Sequence, residues 1–187
     1  MRVIGGEYAK RTLKTLSSQL TRPTSDKVKE SLFNSLGQYF DGGRALDLYG
    51  GSGALAIESV SRGMDKAIIV DKAYQAIKII KENVAMTKEE SKFEVLKMPD
   101  EAALKKLATD GYYFDYVFLD PPYAKQRIAN VMAELVELNL LAEDAIIVAE
   151  TDKDTEIGVG NSYCLIKEKK YGQTMIRIFR YEGVTES

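Results

Sequence analysis

From Arg44 onward, short apolar runs alternate with longer stretches in which apolar residues return every three or four positions. That rhythm predicts strand and helix in turn. Ala45-Leu46-Asp47-Leu48-Tyr49 reads as a strand, followed by Gly50-Gly51-Ser52-Gly53 and a helix from Ala54 to Arg62. Residues 67–71 predict a second strand, and Tyr74 to Met86 a helix with Ile77, Ile80 and Val84 on one face. A strand at 93–96 and a helix at 101–108 come next, then a strand over Tyr116-Val117-Phe118-Leu119, a helix over 128–138 and a strand over 145–149. The tail breaks the pattern: 162–168 and 174–181, joined across Lys170-Tyr171-Gly172, predict a hairpin. Alternating units require a mostly parallel sheet with helices on both faces, so the expected fold is α/β with an antiparallel hairpin at one edge.

The first 43 residues follow another plan. Residues 1–16 predict two short strands around Gly5-Gly6, and 17–25 a polar loop. Ser25 is placed to cap a helix carrying Val28, Leu32 and Leu36, with Asp41-Gly42-Gly43 as its stop. The expected division is a hairpin-and-helix extension over 1–43 and a main domain over 44–187.

Composition narrows the chemistry. There is no histidine among the 187 residues, which removes histidine triads, histidine bases and His-ligated zinc. The expected site therefore holds no metal. Cys164 is the single cysteine, which excludes an internal disulfide, and it is expected as a buried small hydrophobe. The absence of an apolar run long enough to span a bilayer or serve as a leader predicts a cytoplasmic protein with no membrane partner. The net charge of −2 hides an asymmetry, because residues 1–30 are basic and the remainder acidic. A basic arm of Arg2, Lys10, Arg11, Lys14, Arg22, Lys27 and Lys29 suits a phosphate-bearing partner, with a solvated face as the plainer alternative.

Two loops carry candidate chemistry. Gly51-Ser52-Gly53-Ala54-Leu55-Ala56 lies between a strand and a helix and matches the adenosine-cofactor turn, with Asp71 twenty residues after Gly51 to meet ribose hydroxyls. Asp47, inside the strand, would repel a pyrophosphate but can hold the methionine end of S-adenosylmethionine. Tyr49 and Lys72 flank these positions and join Asp47, Gly51, Ser52, Gly53 and Asp71 as cofactor candidates. Asp100, after the third strand, either receives the adenine amine or caps the next helix. The second loop is Asp120-Pro121-Pro122-Tyr123. Two prolines fix φ and remove two donors, leaving the Asp120 carboxylate and the Pro121 carbonyl to accept the hydrogens of a planar amine while Tyr123 stacks on its ring.

With these motifs, the chain resembles the bacterial 16S rRNA guanine-N2 methyltransferases nearly end to end. The resemblance rests on Arg2-Val3-Ile4-Gly5-Gly6, Arg22-Pro23-Thr24-Ser25-Asp26 with Leu32-Phe33-Asn34, Leu46-Asp47-Leu48-Tyr49-Gly50-Gly51-Ser52-Gly53, Ser61-Arg62-Gly63, Asp120-Pro121-Pro122-Tyr123 and Tyr171-Gly172-Gln173-Thr174. Gly50 stands where that family usually has alanine, and Asp71 where glutamate is frequent. The resemblance implies a Rossmann-like class I methyltransferase with a seven-stranded sheet and S-adenosylmethionine as cofactor. It implies 16S rRNA or the assembling 30S subunit as partner and guanine 966 as the family's target. It makes Asp120, Pro121 and Tyr123 catalytic, and Arg2, Arg11, Lys14 and Arg22 the RNA-facing cations. Other readings are a DNA amino-methyltransferase, a protein-glutamine methyltransferase and a non-catalytic assembly factor keeping the fold.

Overall fold

The computed structural model describes residues 1–16, 26–122 and 124–183, with the side chains of 124–126 left aside. Ser25, Arg22 and Tyr123 therefore lie outside the described residues. The fold is α/β, with a seven-stranded mixed sheet and helices. By its contacts the chain forms two compact units, Met1–Pro99 and Asp100–Ser187.

In the first unit, α1 (Asp26–Leu36) precedes β1 (Arg44–Asp47), α2 (Ala54–Ser61), β2 (Lys66–Asp71), α3 (Tyr74–Met86) and β3 (Phe93–Lys97). The strands run parallel in the order β3-β2-β1, with Ala45 opposite Ala67 and Ile69 opposite Val95. Ala67, Ile68, Ile69 and Val70 are wholly buried, as expected of a strand covered on both faces. In the second unit, α4 (Asp100–Thr109), β4 (Phe114–Leu119), α5 (Ala124–Glu137), β5 (Leu141–Asp152), β6 (Tyr163–Tyr171) and β7 (Thr174–Tyr181) give the order β4-β5-β7-β6. β4 and β5 are parallel and the β6–β7 hairpin is antiparallel, as its turn residues predict. No helix among the described residues is long and apolar enough to cross a membrane.

Three expectations need correction here, and a fourth, Lys29, follows. The N-terminal strands reduce to one isolated bridge, Arg2 with Thr12. Around that antiparallel bridge Val3 N–H donates to the Arg11 carbonyl, Lys10 N–H to the Val3 carbonyl and Leu13 N–H to the Met1 carbonyl, so the pairing is present but short. Beyond it Ile4 and Gly5 N–H donate to Glu58, Glu7 N–H to the Ser61 carbonyl and Tyr8 N–H to Ser61 Oγ. Gly6 presses so close to the Ser61 carbonyl, at φ 80°, that a side chain there would collide with it. The Gly-Gly pair thus serves contact with α2 rather than a tight hairpin. Next, α1 stops at Leu36, where Gly37 takes φ 114° and the Phe33 carbonyl accepts from both Gly37 and Gln38 N–H. Asp41-Gly42-Gly43 comes too late to be the stop. Finally, Cys164 is exposed, because β6 is an edge strand whose side chains from Cys164 to Lys170 meet solvent.

Lys29, counted above with the basic arm, is a core residue. Its Nζ is wholly buried, donating to the Arg2 carbonyl at 2.6 Å and paired with Glu58 Oε1 at 3.2 Å. Burial pulls its pKa down against the opposing pull of Glu58. Glu58 Oε2 also accepts from Arg62 Nε at 2.7 Å. Replacing Glu58 with alanine would strand two buried cations, so Glu58→Ala is expected to lower unfolding stability by about 3–5 kcal/mol. Urea denaturation followed by circular dichroism measures this; a loss under about 1 kcal/mol would contradict the buried network.

Candidate active site

The turn after β1 is built from glycines whose amides are used within the protein. Gly50 N–H donates to the Val70 carbonyl at 2.8 Å and Gly53 N–H to the Gly50 carbonyl at 2.8 Å. Gly51 N–H donates to Asp71 Oδ2 at 3.1 Å. Gly51 and Gly53 hold φ values of 60° and 79°, which only glycine adopts without strain. Gly53 opens α2, accepting the first helical bond from Ile57 N–H. Gly50 has a steric reason of its own: an added methyl would collide with Ile69 Cγ2 and lie 3.2 Å from Ile80 Cδ1. Glycine at position 50 therefore lets the turn close up against Ile69 and Ile80.

This donor set discriminates between cofactors. A pyrophosphate on such a turn takes its affinity from free backbone amides at the helix start. Here the amides of Gly50, Gly51 and Gly53, ahead of the helix, are satisfied internally, that of Gly51 by Asp71 itself. Asp47 is 4% exposed at the end of β1, an unfavourable neighbour for phosphate. Above Gly51, by contrast, no described residue lies within 4 Å of where a side chain would begin, so backbone can approach a ligand closely. Asp71 is half-buried, and its Oδ1 accepts from Ala73 N–H at 2.9 Å. Each of its oxygens keeps a lone pair for a hydroxyl. Tyr49 and Ser52 are half-buried and Lys72 is exposed. The set fits an adenosine cofactor without phosphates, such as S-adenosylmethionine.

In the second unit, β4 delivers Asp120 one residue past its end, with Pro121 buried and Pro122 exposed. The Asp120 carboxylate is open to solvent on one side and crowded by protein elsewhere. That crowding opposes ionisation and pushes its pKa up to about 6. Asp100 is the first residue of α4, where Oδ1 accepts from Glu101 N–H at 2.8 Å and Oδ2 pairs with Arg127 at 2.6 Å. Asp100 therefore sits at the start of α4, and Arg127 of α5 is a partner that was not foreseen.

The candidate RNA-facing cations differ among themselves. Arg2 and Lys14 have side chains about two-thirds exposed, paired loosely with Asp26 at 3.8 Å and with Glu82 at 3.2 Å. Arg11 is committed to the end of α3, donating to the Met86 and Thr87 carbonyls while its guanidinium lies over the Tyr8 ring. Sequence reasoning passed over Asn83, whose side chain donates to the Ser52 carbonyl inside the glycine turn. Its one signal was a polar residue on the apolar face of α3.

Comparison with known proteins agrees with this geometry. The family described as conserved hypothetical protein 95 matches residues 1–180. The chain belongs to that family. It is the one to which the motifs pointed. A relative from Bacillus subtilis, the putative rRNA methyltransferase YlbH, is 41% identical over 98% of this chain and 100% of its own length. Ribosomal RNA small subunit methyltransferase D of Haemophilus influenzae is 34% identical over 96% of this chain and 93% of its own. Among solved structures, the putative methyltransferase yhhF from Escherichia coli superposes with a TM-score of 0.84 at 28% identity, covering 98% of this chain and 99% of that one. The fold is the Rossmann-like one of S-adenosylmethionine-dependent methyltransferases, and S-adenosylmethionine is the cofactor.

The Asp120 pKa is directly testable. Its ordinary value is 3.8, so folding favours the protonated form. The associated stability is present in full below about pH 4 and is lost as pH rises through about 6. Asp120→Asn, neutral throughout, should melt with the parent near pH 4 and above it at pH 7. Melting temperatures at the two pH values check this; an equal difference at both would place Asp120 in an ordinary solvated setting.

Proposed function

We propose that the chain transfers a methyl group from S-adenosylmethionine to the exocyclic N2 of a guanine in 16S ribosomal RNA, as naked RNA or in the assembling 30S subunit. In this reading the modified base is guanine 966, the target that the resemblance to the guanine-N2 methyltransferases implies. What carries the reading is Asp120: a solvent-facing carboxylate at the end of β4, with raised pKa, followed by a buried Pro121 that lacks an amide donor. The names of the relatives point the same way, toward ribosomal RNA.

In this reading Asp47, Tyr49, Gly51, Ser52, Gly53 and Asp71 hold the cofactor, with Lys72 beside the ribose acid and Asp100 accepting the adenine amine. The bound cofactor supplies a methyl group on a sulfonium, already a strong electrophile. The protein's work is orientation. Guanine N2 is a weak nucleophile because its lone pair is delocalised into the ring. Asp120 and the Pro121 carbonyl accept its two N–H bonds, which localises that lone pair and stabilises the positive charge as it develops. Asp120 then takes the surplus proton, a task suited to a carboxylate whose pKa is near 6. Tyr123 stacks on the base once it leaves its neighbours. Residues 1–43 form the RNA-facing extension of a methyltransferase domain over 44–187, with Arg2, Arg11, Lys14 and Arg22 toward phosphates.

The decisive experiment incubates the protein with labelled cofactor and with both naked 16S rRNA and small subunits lacking the modification, then maps the labelled nucleotide. Label on a guanine N2 supports the proposal, and label on another atom or on neither substrate ends it. Asp120→Ala is expected to lower turnover by about a hundredfold or more while leaving cofactor affinity unchanged. Turnover and calorimetric titration measure the two separately. Replacing Arg2 and Lys14 together by alanine should flatten the logarithmic salt dependence of RNA binding by about one to two. An unchanged slope in filter-binding assays would give the arm a structural role alone.

A further inference from the structure

Asn83 is 2% exposed on the packed face of α3, and its amide is used in full. Oδ1 accepts from Lys14 N–H at 2.8 Å, and Nδ2 donates to the Lys14 carbonyl at 2.9 Å. Those two bonds copy the exchange a neighbouring β-strand would offer. The other Nδ2 hydrogen goes to the Ser52 carbonyl at 2.8 Å. The partners fix the orientation: reversed, the amide would set its oxygen against two carbonyls and its NH2 against an N–H. One side chain thus joins the N-terminal arm to the glycine turn.

The arm reaches this point in step with α3. Tyr8 Oη donates to Glu89, Arg11 to the Met86 and Thr87 carbonyls, and Lys14 meets Asn83 by backbone and Glu82 by its ammonium. Each move of three residues along the arm goes back about three along the chain. The arm is therefore held over much of its length, and Asn83 is where that holding extends to the loop.

We infer that Asn83 is a positioning residue that sets the glycine turn for the cofactor and couples it to the arm, so that ordering at either one strengthens binding at the other. The inference rests on the reading of that turn as the S-adenosylmethionine site. Coupling of this kind is reciprocal. It runs through Ser52, whose carbonyl direction is set by the Asn83 donor. Alanine at 83 removes all three bonds. Aspartate keeps the shape but aims carboxylate oxygen at two carbonyls.

The test uses the full chain and S-adenosylhomocysteine alone, without RNA. Hydrogen–deuterium exchange in the wild-type protein should slow on ligand addition in peptides covering 10–16 as well as 50–56. In Asn83→Ala and Asn83→Asp the effect at 10–16 should disappear, and calorimetric affinity should fall about tenfold, one hydrogen bond's worth. In methyl transfer, cofactor KM should rise with kcat at saturation retained. A variant that melts earlier yet binds S-adenosylhomocysteine with wild-type affinity and KM would overturn the inference. So would wild-type protection confined to 50–56, a result that needs no variant to fold. A wild-type chain binding no S-adenosylhomocysteine would instead bring down the cofactor reading, and this inference with it.

Discussion

Four donors converge on one buried carboxylate, and much of the first unit is arranged around it. Glu58 accepts from Ile4 and Gly5 amides, from Lys29 and from Arg62, two donors on each oxygen. The arm, α1 and α2 are thereby held through one wholly buried side chain. Such a cluster contributes less net stability than an apolar packing of equal volume, but it tolerates no partial loss. What it provides is a fixed register. Arg62 extends that register outward, donating to the Gln38 carbonyl at 3.0 Å and lying over the Phe33 ring. Because α2 begins directly after Gly53, anything that fixes α2 also fixes the glycine turn.

Both candidate loops depend on where polar groups are left unsatisfied. In the glycine turn, backbone donors are consumed internally, by Val70, Gly50 and Asp71. At the end of β4 the prolines remove donors outright, and Asp120 keeps its acceptors at the expense of a harder ionisation. The first loop spends three glycine amides internally, and the second lacks two.

Much of this was legible along the chain. The order and type of elements from Arg44 onward follow hydrophobic period, and the helix Tyr74–Met86 was legible because Ile77, Ile80 and Val84 recur on one face. The glycine turn, Asp71 and Asp120 were legible because their residue types are unusual for strand ends. The paired part of the arm is shorter than expected because the donors from Ile4 to Tyr8 find partners in α2, more than fifty residues away. Lys29 was misread as a surface charge because no local pattern announces Glu58 and Arg62 around it. Cys164 was misplaced for the converse reason: an apolar stretch carries no sign that it forms an edge.

The amino-acid sequence determined the local elements, the parallel class of the sheet and the two loops, since these follow from side-chain period and from the φ limits of glycine and proline. Only the tertiary structure decided which charges are core and which are surface, which amides remain for a ligand, and that Asn83 ties Lys14 to Ser52. Those outcomes turn on pairs separated by tens of residues. A hydrogen bond's partner is chosen by position in space, and burial sets how much that choice matters.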